Sequence, residues 1–235
     1  MTRTIPESRF NQLIEVATKL FVARGYRLTQ VADVAEALGV AKGTLYGYIE
    51  SKEALFDAAV RFADGHGPVP EPSTLPLSTP AAGSTVQYVQ TRLMEEAREL
   101  TLVQALSLPK GTRAKADEFD SIVRDLYRRM SRNRNALKLV DRCAIDHPEL
   151  AAVWFEQGRY GQVALLATYL EKRSAAGKMR NVPNVQLAAR MVLETVALWA
   201  IHMPWDASPR PFADDEVENA LVDLLVHAYA KEKSR

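Results

Sequence analysis

A chain of 235 residues with 47% hydrophobic and 25% charged side chains has the proportions of a globular protein, long enough for one or two domains with a real core. Thirty basic residues oppose 29 acidic ones, so no bulk field draws the chain to nucleic acid or to an anionic membrane, and any such binding must come from placed residues. The single cysteine, Cys143, excludes an intrachain disulfide and fits a reducing cytoplasm, and no Cys or His pair stands at zinc-ligand spacing.

The opening MTRTIPESRFNQ lacks the apolar core of a signal peptide. The most apolar stretch, Val185 to Met203, carries Gln186, Arg190, Glu194 and His202, which predicts a buried soluble helix and not a membrane span. Apolar positions recur at helical spacing in nearly every long segment, and strand-length β-branched runs bounded by turns are missing, so the predicted fold class is all-α. Composition breaks once, at GHGPVPEPSTLPLSTPAAG (65–83), which holds five of the 12 prolines and cannot continue a helix. The predicted organisation is a head, residues 1–63, a Pro-rich connection, 64–83, and a helical tail, 84–235, without an internal repeat. Composition leaves open whether the connection is ordered or a flexible tether.

In the head, a first helix is expected from about Pro6 to Arg24, opened by a capping box on Thr4, Pro6 and Glu7 and closed by Gly25. Phe10, Leu13, Ile14, Ala17, Leu20 and Phe21 form its apolar stripe. A second helix starts at Thr29 as N-cap and stops at Gly39, a third covers Lys42 to Tyr48, and a fourth follows the N-cap Ser51 with Leu55, Phe56, Ala59, Val60 and Phe62. Val31 to Tyr48 fits two helices crossed over a tight turn. Ala35 is small where they touch, Gly39 takes the positive φ of the turn, and Val34, Leu38, Val40, Leu45 and Tyr48 fill the wedge. An ordinary αα-hairpin satisfies the same spacing.

The run GYRLTQVADVAEALGVAKGTLYGYIESKEALFDAAV (25–60), with KGTLY at 42–46 and SKEALF at 51–56, resembles the DNA-binding domain of the TetR family of bacterial transcriptional regulators, densely so over roughly residues 10–60. The resemblance implies a helix-turn-helix whose second helix, opened by Lys42, Gly43 and Thr44, enters a major groove and contacts bases and backbone. It also implies phosphate contacts from Tyr46, Tyr48 and Lys52, while Thr29 offers its hydroxyl and free N–H groups at a helix N-terminus. Three departures weaken that readout. Ala32 stands where relatives often carry a longer polar side chain, Gly47 replaces a bulky residue, and Ala41 replaces the usual Ser or Thr N-cap. Lys42 and Thr44 are then the best base contacts, and DNA shape supplies more of the specificity. Residues 1–52 hold seven basic and five acidic side chains, a surplus of only two. One head therefore binds weakly, and two heads on one scaffold, docked on major-groove faces about 35 Å apart, are expected.

Tail helices are predicted near 84–107, 114–131, 134–145, 148–177, 184–203 and 214–231, with prolines at or between the boundaries. The last two are apolar over more surface than one core needs, and the resemblance makes them a dimer interface through Leu187, Met191, Thr195, Leu198, Val217, Leu221, Leu224, Leu225 and Ala228. It also implies a pocket for a small effector, for which Tyr88, Arg92, Gln104, Tyr127, Trp154, Phe155 and Tyr160 are candidates, each with core packing or surface as the ordinary reading. Arg124, Arg128 and Arg132 recur at four-residue spacing and read as a solvated face partly paired with Asp125 and Asp141. Four scattered histidines form no catalytic or metal cluster, no cofactor is indicated, and no convergent set of titratable groups suggests an enzyme. The function implied is a cytoplasmic, homodimeric, ligand-responsive repressor of a palindromic operator in double-stranded DNA; a regulator without an effector is the alternative.

Overall fold

The computed structural model describes residues 7–65, 74–107, 117–208 and 212–231. The capping residues Thr4 and Pro6, and residues 66–73 of the Pro-rich connection, lie outside the described residues. The helices are α1 (Glu7–Leu28), α2 (Val31–Ala37), α3 (Lys42–Leu45), α4 (Lys52–Phe62), α5 (Ser84–Arg98), α6 (Thr101–Ser107), α7 (Glu118–Arg132), α8 (Arg134–Ala144), α9 (Pro148–Ala151), α10 (Gly161–Ala175), α11 (Val185–Ala197) and α12 (Asp214–Tyr229). Wider π turns continue α9 over Ala152–Tyr160 and α11 over Leu198–His202. Among the described residues there is no β-strand; extended pairing is confined to two isolated bridges, Ile49 with Leu77 and Met179 with Ala230. No described helix is long and apolar enough to cross a membrane. Two compact units form: one gathers Met1–Gln90 and Asn135–Trp154, the other Thr91–Arg134 and Phe155–Arg235.

In the first unit the predicted stripe of α1 is core. Phe10, Leu13, Ile14, Ala17 and Phe21 are buried with Leu55, Phe56, Ala59 and Val60 of α4. Phe10 meets Phe62, and Phe21 meets Phe56, edge to face at 5.6 and 5.3 Å. Each such ring removed from water contributes about 1.5–3 kcal/mol, which is what holds α4 along α1. The helical path of α1 breaks at Gly25, where φ is 82°, a left-handed value that costs an L residue about 1–2 kcal/mol. A Cβ there would also stand 2.7 Å from a guanidinium nitrogen of Arg142 and 2.8 Å from Oδ2 of Asp146, because the end of α8 lies against this turn.

α8 is seated in the first unit at both ends. Its opening N–H groups, on Asn135 and Ala136, donate to the carboxylate of Asp64 at 2.9 and 2.8 Å, so a residue just past α4 caps it. Leu139, Val140, Cys143 and Ala144 are buried. Burial pushes the Cys143 thiol up to about 12, with Asp146 adding to it, so the sulfur is an inert apolar group. The described end of the Pro-rich connection is also docked. Leu77 N–H donates to the Tyr48 carbonyl at 2.8 Å, Glu50 N–H to the Leu77 carbonyl at 3.0 Å, and Thr79 N–H to the Glu50 carboxylate at 2.8 Å. Over 74–79 it is a strap behind α3 and not a tether.

In the second unit, α7 and α12 are joined by ion pairs. Arg124 and Arg128 both donate to Glu218 at 2.8 Å, and Tyr127 and Arg134 donate to Asp214 at 2.8 and 2.7 Å. The arginine face expected from sequence is solvated at Arg128 and Arg132, 66% and 54% exposed, and Arg129 pairs with Asp125 at 2.8 Å, but Arg124 and Arg128 also reach across to another helix and Arg129 to Glu96 at 2.8 Å. Asp141 instead accepts the Trp154 indole N–H, within the first unit. Long charged side chains at four-residue spacing suit a solvated face and an interhelical ladder equally well, and only the position of α12 distinguishes them.

Burial pushes the Glu218 carboxyl up, but the hydrogen bonds from Arg128 and Arg124 outweigh it and leave its pKa below the ordinary value. A depressed carboxylate stabilises the fold above its unfolded pKa of about 4.3 and loses that contribution as pH falls through the lower folded value. Thermal melts from pH 7 to pH 3 should therefore show stability falling below about pH 4.5. Glu218→Gln should cost about 1–3 kcal/mol at pH 7 and make that acid limb shallower.

Candidate nucleic-acid interface

The turn between α2 and α3 is built from local signals. Gln30 is the N-cap of α2, and its N–H donates to the Asp33 carboxylate at 2.7 Å. At the other end Gly39, with φ 64°, donates to the Glu36 carbonyl and Val40 to the Ala35 carbonyl, both at 3.0 Å, the paired closure that a left-handed residue permits. The α3 helix is shorter than predicted. Regular turns end at Leu45, and Gly47 and Tyr48 continue in tighter bonds to Thr44 and Leu45 at 3.2 and 2.8 Å. Glycine at 47 weakens the helix, and Ala41 at the N-cap supplies no side-chain acceptor. Val31, Val34, Ala35, Leu45, Tyr48 and Ile49 are buried beneath it. Lys42, Gly43, Thr44, Tyr46 and Gly47 are left exposed on one surface.

Five of the seven predicted contact residues keep an accessible group. Lys42 lies over the exposed Tyr46 ring at 5.9 Å. Gly43 has open space where a Cβ would be, so its backbone can be approached closely. Thr44 is exposed, and Lys52, half-buried in the first turn of α4, donates to the Arg27 carbonyl at 3.1 Å over the Tyr26 ring at 4.5 Å. One bond leaves two ammonium protons for another acceptor. Burial lowers the Lys52 pKa, opposed by the carboxylates of Glu53 and Asp146. Burial and Glu53 push the Tyr26 hydroxyl up to about 12, so its ring faces the lysine as a neutral phenol.

The other two predicted contact residues, Thr29 and Tyr48, are buried. Thr29 is fully buried, and its hydroxyl donates to the carbonyls of Gly25 at 2.8 Å and Leu20 at 3.3 Å. It closes the broken end of α1 and caps nothing, because the capping position has moved one residue on, to Gln30. Tyr48 is 7% exposed and lies in the wedge of the head, with only its main chain bonding the strap. Sequence reasoning also missed Asp146, which lies 119 residues beyond Arg27 and accepts its N–H at 3.1 Å. Gly25 signalled a turn, but no local pattern reports what packs against one.

A family model described as "Bacterial regulatory proteins, tetR family" matches residues 13–59, and one described as "AefR-like transcriptional repressor, C-terminal domain" matches residues 116–231. The chain belongs to the TetR family of bacterial transcriptional regulators. The HTH-type transcriptional repressor KstR2 of Rhodococcus jostii (strain RHA1) is 42% identical over 53 residues, 23% of this chain and 26% of the relative. KstR2 of Mycobacterium tuberculosis (strain CDC 1551 / Oshkosh) is 41% identical over 54 residues, 23% and 27% of the two chains. The match thus spans about a quarter of the length of these curated relatives. Two solved structures share the fold over nearly the whole chain. The ketosteroid transcriptional regulator KstR2 of Mycobacterium tuberculosis superposes with a TM-score of 0.58 at 17% identity, covering 99% of this chain and 100% of that one. A tetR-family regulatory protein from Rhodococcus RHA1 gives 0.53 at 14% identity, covering 95% and 98%. The relatives and the fold are those of regulators, not of enzymes.

In this TetR-family protein the seven effector candidates are scattered. Tyr88 lies under the Arg61 guanidinium at 4.0 Å, and Trp154 bonds Asp141 at 2.8 Å. Arg92 pairs with Glu95 at 3.0 Å, Gln104 bonds the Glu99 carbonyl at 3.4 Å, and Tyr127 is buried against Asp214. Phe155 is half-buried, and Tyr160 is exposed with Arg190 at 5.4 Å over its ring. None of them lines the open, mainly apolar pocket of about 390 Å³ formed by Trp199, Phe212, Glu216, Val217, Ala220, Leu221 and Leu224. Leu224 of its lining is 58% exposed, and Leu187, Met191 and Leu198, on α11 and its π continuation, are 45–59% exposed. Leu221 and Leu225, expected on the same face, are 3% and 6% exposed and belong to the core. Thr195 and Val217 are half-buried and Ala228 is exposed. Among the described residues no His, Cys, Asp and Glu cluster is arranged to hold a metal.

Two substitutions separate a structural from a contacting role. Thr29→Val should lower stability by about 1–3 kcal/mol by leaving the Gly25 carbonyl unpaired, with the salt dependence of DNA binding unchanged in a fluorescence titration. Gly43→Ala should do the reverse. Its methyl enters open space, so the melting temperature should hold or rise, by the equivalent of up to about 1 kcal/mol, while DNA affinity falls.

Proposed function

We propose that this protein is a ligand-responsive repressor that binds a palindromic operator as a homodimer. The supporting observation is the surface of the helix-turn-helix. Lys42, Gly43, Thr44 and Tyr46 stand exposed around a buried Leu45 and Tyr48, so the packing side of α3 is used up and its polar side is free. Lys42 and Thr44 read base edges, Gly43 admits the backbone, and Tyr46 and Lys52 bond phosphates. A surplus of two positive charges in residues 1–52 is too little for one head. The second head is supplied through Leu187, Met191, Leu198 and Leu224, four large apolar side chains exposed on α11, its π continuation and α12. Two-fold symmetry of the dimer then requires two-fold symmetry in the DNA, with half-sites about 34–36 Å apart. An effector lowers operator affinity by binding better to a dimer whose heads are set off that spacing, and linkage makes the effect reciprocal. Regulation without an effector is the second reading, favoured by the protein partners that six of the seven effector candidates already hold. A DNA-binding repressor with this cysteine usage belongs in the cytoplasm.

Footprinting on the DNA flanking its own gene should show two protected half-sites. Tyr46→Phe and Lys52→Ala should weaken binding to all sequences about equally, whereas Lys42→Ala should also relax operator preference. Met191→Glu with Leu224→Glu should give monomers in sedimentation and abolish operator binding at nanomolar protein. A wild-type chain that is monomeric, or that ignores duplex DNA at low salt, overturns the reading.

A further inference from the structure

The Arg27 main chain is held at both of its polar groups, on either side of its Cα. Its N–H donates to Oδ2 of Asp146 at 3.1 Å, and its carbonyl accepts from Nζ of Lys52 at 3.1 Å. Arg27 lies between the break at Gly25 and the N-cap of α2, so its main chain leads into the helix-turn-helix. Asp146 belongs to the turn that ends α8, and the other end of α8 is capped by Asp64 beyond α4. An 11-residue helix is about 16 Å long, so α8 is a strut from the end of α4 to the start of α2. Gly25 lets the strut come within 2.7–2.8 Å of a would-be Cβ, and the His147 ring meets Tyr26 edge-on at 5.5 Å, on the ring that also carries Lys52. The second carboxylate oxygen of Asp146 is buried without a hydrogen-bond partner. An unsatisfied buried oxygen costs stability, and here its neighbour oxygen holds the Arg27 N–H.

We infer that Asp146 is a positioning residue for the phosphate contact of Lys52: by gripping the Arg27 N–H it holds in place the carbonyl that aims the lysine, and so makes α8 part of the DNA-binding machinery. This rests on the reading of Lys52 as a phosphate ligand. Without Asp146 the Gly25–Leu28 turn is free to shift, the carbonyl leaves Nζ, and the ammonium is no longer held beside the N-terminus of α4. Any displacement of α8 has the same result.

The test uses the full-length protein and a duplex that the wild-type chain selects from a random-sequence library. Asp146→Ala should weaken binding about tenfold and reduce the slope of log affinity against log salt by about 0.9 per lost lysine contact, about 1.8 per dimer. Asp146→Asn keeps an acceptor for the Arg27 N–H and should restore both. In a Lys52→Met background, Asp146→Ala should change the slope no further. Wild-type slope in Asp146→Ala, no rescue by asparagine, or full additivity with Lys52→Met overturns the assignment. If the alanine variant does not fold, hydrogen exchange on the wild-type protein decides. The Arg27 amide should stay protected when the selected duplex binds, and loss of protection refutes the role. A wild-type chain that selects no duplex defeats the DNA-binding reading itself, and is thereby distinguished from failure of the Asp146 role alone.

Discussion

At Gly25 the backbone must meet three demands at once. It leaves the α1 path with φ at 82°, it presents a carbonyl to the Thr29 hydroxyl at 2.8 Å, and it admits side chains of α8 into the space a Cβ would occupy. Every non-glycine residue fails the first demand by the strain of a left-handed conformation and the third by overlap. The start of the helix-turn-helix depends on that turn. Thr29 is drawn inside, Gln30 becomes the N-cap of α2, and Arg27 gives its N–H to Asp146 while its carbonyl accepts from Lys52. The exposed face of α3 is presented by a scaffold whose first fixed point is a missing side chain.

The two units use charge differently. The first carries few ionic side chains on its candidate DNA surface, and those present are individually placed: Lys42 over Tyr46, Lys52 over Tyr26. Such an arrangement gives short-range contacts in place of a long-range field, as a net charge of +1 requires. The second spends its arginines inward. Arg124, Arg128 and Tyr127 fasten the N-terminal half of α12 to α7 through Glu218 and Asp214, and Arg134, just past α7, adds a second bond to Asp214. Partly buried pairs of this kind add less net stability than their number suggests, because desolvation offsets attraction, but they fix orientation. With one side of α12 tied down, Leu224 is turned outward toward the same surface as Trp199 and Phe212.

Much of the head was legible in the amino-acid sequence because its signals are local. Gly39 closing α2, Ser51 capping α4 through Ala54 N–H at 3.1 Å, and the Phe10 to Phe21 stripe are all read from close neighbours along the chain. Thr29 misled for the same reason. A threonine before a helix looks like a cap, yet the chain had a better use for its hydroxyl at the broken end of α1. On α12 the apolar stripe was visible but not its division, with Leu221 and Leu225 inward and Leu224 outward, since Leu224 lies within about 100° of both around the helix axis. The aromatic and polar candidates in the tail were indistinguishable as pocket or packing until their partners, such as Asp141 for Trp154 and Asp214 for Tyr127, were in place.

The sequence by itself determined the all-helical class and the helix-turn-helix around Gly39, because periodicity, caps and turn glycines act over one or two helical turns, and the motifs of residues 25–60 carried the family resemblance. Tertiary structure alone decided that residues 135–154 pack with the head, that Asp146 and Lys52 hold the N–H and the carbonyl of one residue, Arg27, that residues 74–79 strap the back of α3, and that the α7 arginines serve α12. Those choices join residues from about 25 to 119 positions apart. Chain-local rules cannot rank partners at such separations, since any of several carboxylates satisfies an arginine or an amide equally well until the faces of the helices are brought together.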